Sequence, residues 1–355
     1  MTSNATEDWK RWFIPGVYPM TVLEIAADRG LASKDVLARA GIELGAGEIF
    51  ESGLTFEQLV HLMEVVEEAL EAPEIGVEMG WRLPPTALGS VGYAILSSAT
   101  AAEALELLQR FWHLVERASV ITIDTSAEIG SIELEVRVPM TEHQRIVLKE
   151  VCFVSVHRGL IALFPQASNR TEVWFDFPEP PQGSHVRQRL GQVRYDMPAC
   201  QFRFPTRFLD QPLPMSNPMG LRTAVKWCER EERERGLTDS RLVARVQSEL
   251  RPGPNGYPSL DQMARRLAMA PRTLRRHLRD EGTRYSTLLE AARRREALRL
   301  LDNRSLATHQ VAEMLGYEDP ANFTRAFRRW TGQTPRQYRS RSKTSTPVAP
   351  EHAGE

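Results

Sequence analysis

At 355 residues the chain is too long for one compact core and suits two domains with connecting segments. Its 42% hydrophobic and 26% charged residues exclude a disordered or fibrous chain. No stretch approaches the ~20 apolar residues of a membrane span, and Met1–Lys10 has no basic-then-apolar leader, so a cytoplasmic protein without membrane contact is expected.

The net charge of −1 hides a division along the chain. Arg251 to Lys343 carries about 20 Lys and Arg against about 9 Asp and Glu, roughly +11, whereas residues 1–250 come to roughly −10. The surplus is nearly all arginine, whose planar fork suits phosphate and guanine, and it points to nucleic acid. Cys152, Cys200 and Cys228 match no metal or redox spacing, and the histidines form no HxxxH pair. No metal and no cofactor are expected.

In chain order, the first domain, residues 17–214, mixes helices and strands. Thr55-Phe-Glu-Gln58 is a capping box, and Leu59, Leu62, Met63, Val66 and Leu70 follow at helical spacing. Thr100-Ala-Ala-Glu103 repeats the device ahead of Leu105, Leu108, Trp112 and Val115. Ile132, Leu134, Val136 and Val138 alternate with Ser131, Glu133, Glu135 and Arg137, the period of a strand with one wet face. Val120 to Asp124 is expected to pair with it, Ile146 to Phe164 to form a long helix, and 173–177 and 201–204 to form further strands.

A break at Asp210-Gln-Pro-Leu-Pro-Met-Ser-Asn-Pro218 ends this domain, and Arg251-Pro-Gly-Pro-Asn-Gly-Tyr-Pro258 rules out a continuous helix further on. Residues 215–257 read as a linker of two charged helices separated near Gly236. A basic domain, 258–340, follows, and 341–355 reads as a disordered Ser/Thr/Pro-rich tail.

In the basic domain, Leu260 to Leu278 reads as helix, short turn, helix. Met263, Ala264 and Leu267 face Leu274 and Leu278, and Pro271 opens the second helix, where its missing donor costs nothing. A helix-turn-helix puts the start of its second helix at base edges, here Arg272, Thr273, Arg275 and Arg276, with Arg279 on the same broad face. About 48 residues later the pattern returns over Leu306 to Trp330. Gly316 leaves one helix, Asp319 caps the next with Pro320 behind it, and Phe323 and Phe327 pack inward. Asn322, Arg325 and Arg328 then face outward as base readers for adenine and guanine, with Thr324 and Arg329 nearer the DNA backbone. Between the copies, Tyr285 to Leu301 reads as one linking helix about 26 Å long, suited to recognition helices one DNA turn, about 34 Å, apart.

The run Leu315-Gly-Tyr-Glu-Asp-Pro-Ala-Asn-Phe-Thr-Arg-Ala-Phe-Arg-Arg-Trp-Thr-Gly-Gln-Thr-Pro335 resembles the AraC/XylS class of bacterial transcription regulators, and the likeness extends over roughly Ser259 to Arg339. The resemblance implies two helix-turn-helix units on a long helix, promoter binding at adjacent major grooves, and activation through contact with RNA polymerase. Ala268 stands where members often have Gly, and Ala270 where Ser or Thr often caps. Each departure costs about 1 kcal/mol. Leu88 to Leu105 and Phe202 to Pro214 make the first domain similar to the family's arabinose-binding type of sensor, in a branch different from the β-barrel sensor. That label does not make arabinose the ligand.

The fold class expected is thus an α+β N-terminal sensor domain followed by an all-α C-terminal domain with two helix-turn-helix units joined by a long helix. The function expected is a homodimeric, sequence-specific transcription activator modulated by a small-molecule effector. Trp81, Tyr93, Ser97, Trp112 and His113 are the candidate ligand contacts. The alternative, an effector-independent architectural DNA-binding protein, would be basic throughout. No enzyme is expected, because Gly89-Ser-Val-Gly92 lacks the spacing of a nucleophile elbow and no phosphate-binding glycine loop appears.

Overall fold

A computed structural model describes residues 8–163, 170–237, 240–252, 256–280, 283–303 and 305–341. They divide into two compact units, Met1–Arg241 and Leu242–Glu355.

The first unit opens with β1 (Phe13–Ile14), α1 (Val17–Asp28), α2 (Ser33–Arg39), α3 (Ala46–Ser52), β2 (Leu54–Thr55) and α4 (Phe56–Leu70). The Thr55 hydroxyl accepts from the Gln58 amide, and the Gln58 side chain accepts in return from the Thr55 N–H, so the capping box forms as expected. Next come α5 (Ile75–Arg82), α6 (Gly89–Ser97) and α7 (Ala101–Val115), the last capped by Thr100. The stripe on α7 is wider than its sequence suggests. Besides the expected face, Leu107, Phe111 and Leu114 are buried on the side that meets α6.

β3 (Ser119–Asp124), β4 (Ile129–Val136), α8 (Glu142–Leu163), β5 (Glu172–Trp174), α9 (Gly183–Leu190), β6 (Gln192–Arg194) and β7 (Gln201–Pro205) complete the α+β core. The sheet runs β3-β4-β7-β5-β6 and is antiparallel except for β5 and β6, which α9 joins in parallel. The β3–β4 pairing is the expected one. Glu133, expected on a wet face, is instead buried and accepts a 3.0 Å hydrogen bond from Gln201 Nε2. Gln201 stands opposite Glu133 on the neighbouring strand β7, a pairing that the alternation in one strand could not reveal.

Helix α8 is the spine of the unit. Its Phe153 packs on Phe175 and Phe202 of the sheet side, while α5 lies close against it on Gly76 and Gly80. A Cβ on Gly80 would meet the Val151 carbonyl at 2.7 Å, and one on Gly76 the Val147 carbonyl at 2.9 Å.

The segment expected as a linker does not stand apart. Helix α10 (Pro218–Glu234) buries Ala224 and Cys228 with Val91, Ala94 and Phe111 of the first unit. Helix α11 (Ser240–Glu249) contributes Leu242, Val243 and Val246, with Leu250, to the core of the second unit. The chain turns between the two helices at Gly236, with φ +63°. The rest of the second unit is helical: α12 (Leu260–Arg266), α13 (Pro271–Asp280), α14 (Tyr285–Asp302), α15 (Thr308–Met314), α16 (Pro320–Thr331) and α17 (Pro335–Arg341). The tail expected to be disordered lies, from 342 on, outside the described residues. Among the described residues no helix is long and apolar enough to cross a membrane.

Candidate nucleic-acid interface

The first helix-turn-helix is α12 and α13. Ser259 caps α12 through a full capping box with Gln262. The chain leaves α12 through Ala268, which holds φ +54°, the left-handed conformation that costs a residue with a Cβ about 1 kcal/mol. Ala270 accepts the Leu274 amide on its carbonyl but has no side-chain oxygen to cap α13. Met263, Ala264, Leu274 and Leu278 are fully buried between the helices. That packing fixes the outer face of α13, where Arg272, Arg275, Arg276 and Arg279 are exposed and have no ion-pair partner among the described residues. Thr273 is half-buried at the start of the helix.

The second helix-turn-helix, α15 and α16, has the better turn chemistry. Gly316 takes φ +80°, and Asp319 caps α16 by accepting from the Ala321 amide at 2.8 Å, with Pro320 in the first turn. Phe323 and Phe327 are fully buried and pack at tilted and edge-on angles with Tyr317 and Tyr338. Asn322, Arg325 and Arg328 are exposed on the opposite face, and Arg325 Nη2 donates to Asn322 Oδ1. Thr324 is half-buried, its hydroxyl donating to the Pro320 carbonyl at 3.0 Å. Arg329 is exposed and pairs with Glu290 of α14 at 2.7 Å.

Helix α14 carries both motifs. Its 18 residues span about 27 Å. At one end Tyr285 donates to the Pro258 carbonyl at 2.6 Å, and burial pushes its hydroxyl up to about 12. At the other, Tyr338 donates to Asp302 at 2.7 Å and Arg339 to the Leu301 carbonyl. In the middle, the Arg293 guanidinium lies 5.7 Å from the Tyr257 ring and 5.8 Å from the Tyr317 ring, one on each side. Nothing in the sequence singles out Arg293, since an arginine in an arginine-rich helix gives no sign that it lies between two rings.

In the first unit the five candidate ligand residues are not gathered. Only Trp112 lines the cavity of about 230 Å³ that the unit encloses, and its indole N–H donates to Ser119. Trp81 lies under the Arg189 guanidinium. Tyr93 is exposed with its ring edge against Trp227, Ser97 accepts the Asn217 amide on its carbonyl, and His113 Nε2 sits 2.9 Å from Glu232 of α10. The cavity is instead lined by α1, α4, α7, α8 and β7, including Tyr18, Gly159 and Phe202, with Glu116 just beyond α7. Apolar and small residues at three- and four-residue spacing along α8 are the signal that could have found it.

Residues 30–213 match the family described as the arabinose-binding domain of AraC transcription regulators, and residues 263–341 match a helix-turn-helix domain family. The chain is 27% identical to the ornithine utilization regulator of Pseudomonas aeruginosa, over 92% of this chain and 96% of that one. It is 27% identical to the HTH-type transcriptional regulator VirS of Mycobacterium tuberculosis, over 86% and 89% of the two chains. The crystal structure of the transcriptional regulator CdpR from Pseudomonas aeruginosa aligns with 86% of this chain and 96% of its own, at 24% identity and a TM-score of 0.42. These families and relatives are transcription regulators and not enzymes. The chain belongs to the AraC family of DNA-binding transcription regulators.

Proposed function

We propose that the protein activates transcription by setting α13 and α16 into two successive major grooves on one face of a promoter, as a homodimer whose first unit binds a small-molecule effector. The observation that carries this reading is the sharing of one long helix, α14, by two helix-turn-helix units that each turn an Arg-rich or Asn/Arg face to solvent. Arg272 and Arg276 hold phosphates, with Thr273 and Arg275 beside them at the first groove. Asn322, Arg325 and Arg328 read bases at the second, with Thr324 at the DNA backbone. Dimerisation draws support from the exposed aromatic pair Tyr93 and Trp227, with Met219 two turns earlier on α10 at 66% exposure. Effector binding biases the basic unit between arrangements on DNA, and the bound activator contacts RNA polymerase.

The test is equilibrium binding of the full chain to DNA upstream of its own gene and of neighbouring operons, at physiological salt, with and without metabolites of those operons, beside sedimentation of the same sample. A regulator keeps a large preference for one operator and responds to one metabolite. Equal affinity for all sequences, no response to any metabolite and a monomer would overturn the proposal.

A further inference from the structure

The cavity of the first unit has a size and chemistry that select a ligand. Along α8 its wall runs from His143 to Leu163 at three- and four-residue spacing, through Val147, Val151, Ser155 and Gly159, so it follows about 30 Å of one helix face. A volume of about 230 Å³ fills only part of that length. By comparison with a cavity of about 150 Å³ that takes benzene, it has room for roughly ten carbon atoms.

Most of the wall is aliphatic or aromatic, and its polar groups are largely engaged with one another. Glu116 accepts from the Ala118 amide and the Ser119 hydroxyl, and burial holds its carboxyl above the usual range. Ser155 donates to the Cys152 carbonyl. At the α4 side of the wall, Glu67 pairs with His143 at 2.8 Å and Glu64 accepts from Gln144 at 2.9 Å. The Tyr18 hydroxyl is different: it has no hydrogen-bond partner among the described residues, and burial raises it so that it stays neutral. The lining contains no Lys or Arg.

A sugar would leave most of its hydroxyls unpaired in such a wall. A carboxylate or phosphate would meet three glutamates, and Arg235, the arginine that acts on Tyr18, is already engaged with Glu231 and the Leu114 carbonyl. A neutral aliphatic chain fills the cavity and needs a single hydrogen bond. We infer that the effector of this protein is an aliphatic molecule of about eight to twelve carbons with one uncharged polar group, a hydroxyl or carbonyl, bound against α8 with that group at Tyr18. This inference rests on the reading of the first unit as an effector sensor.

The test is titration calorimetry of the full chain with 1-decanol, decanoate and arabinose, with operator affinity measured on the same samples. The expected result is saturable 1-decanol binding, at least tenfold weaker decanoate binding and no arabinose binding. Tyr18→Phe should weaken decanol about fivefold, the worth of one neutral hydrogen bond. Gly159→Phe, which fills the cavity, should weaken it at least tenfold. Gly159→Ala should not, because a Cβ there meets only Pro85 at 3.7 Å. Ala104→Leu narrows the facing wall and serves if Gly159→Phe fails to fold. Decanoate binding as tight as decanol, or decanol binding indifferent to both cavity-filling variants, would overturn the inference. Decanol binding that leaves operator affinity unchanged would sink the effector reading and leave the site. A polar metabolite that shifts operator affinity in a chain that ignores decanol would do the reverse.

Discussion

Arg325 donates from Nη2 to Oδ1 of Asn322, three residues earlier on the exposed face of α16, so the two side chains proposed as base readers hold each other in the free protein. To pair bidentately with adenine, Asn322 needs both its carbonyl and its amide, and its carbonyl has a second lone pair to share. Asn322→Ala and Arg325→Ala should each cost about 1–3 kcal/mol of discrimination against a changed base. Because the residues are in contact, the double variant should lose less than the sum. Competition titrations against operators altered at single positions measure both quantities, and strict additivity would show that the bond plays no part in reading.

Arg272 and Arg276 on α13 have no ion-pair partner among the described residues, so each is available to a phosphate as it stands. Arg272→Ala or Arg276→Ala should weaken binding to all sequences alike and reduce the slope of log affinity on log salt by about 1. Equal losses of sequence preference at these two positions and at Asn322 and Arg325 would refute the division of labour between the helices.

The first turn is the weaker one for a reason held in its backbone. Ala268 sits at φ +54° and α13 starts without a side-chain cap at Ala270. Ala268→Gly and Ala270→Ser should each stabilise the unit by about 1 kcal/mol, slowing amide exchange in α12 and α13 about fivefold. Gly316 already has the preferred residue at the matching turn, so Gly316→Ala should do the opposite in α15 and α16.

How much of this was open to a reader of the sequence depends on how local the determinant is. The two motifs, their caps and the core faces of Leu274, Leu278, Phe323 and Phe327 rest on contacts within about 25 residues, and spacing reveals them. The alternation of β4 and its pairing with β3 were legible for the same reason. The burial of Glu133, the seating of α10 on α6 and the placement of His113 against Glu232 depend on elements 68, 130 and 119 residues apart in the chain, and composition carries no trace of them. The cavity leaves little mark on the sequence because its wall is built of ordinary core side chains, with Gly159 and Ser155 among them, and not of a distinct set of aromatic and polar residues.

Glu150 is buried in α8, where among the described residues only Gln182 donates to it, and burial raises its carboxyl from 4.5 to about 8. A carboxyl raised in the folded state favours folding most below its unfolded value, and that contribution is lost as pH rises from about 4.5 through about 8. Glu150→Gln should therefore unfold several degrees above the parent chain at pH 8.5, with the gap closing toward pH 5. His157, lowered by burial to about 4, works in the opposite sense as pH falls, which is why the comparison is made between variants and not along one curve.

The central claim, that one chain reads two successive major grooves through α13 and α16, is tested most directly by chemical interference footprinting on its operator, with parent chain, Arg276→Ala and Asn322→Ala in parallel. The account predicts two patches of major-groove contact per chain, one helical turn or about 10 base pairs apart on one face of the duplex. Arg276→Ala should fade the phosphate contacts that flank one patch, and Asn322→Ala the base contacts of the other. A single patch per chain, or both patches fading together in either variant, would contradict it.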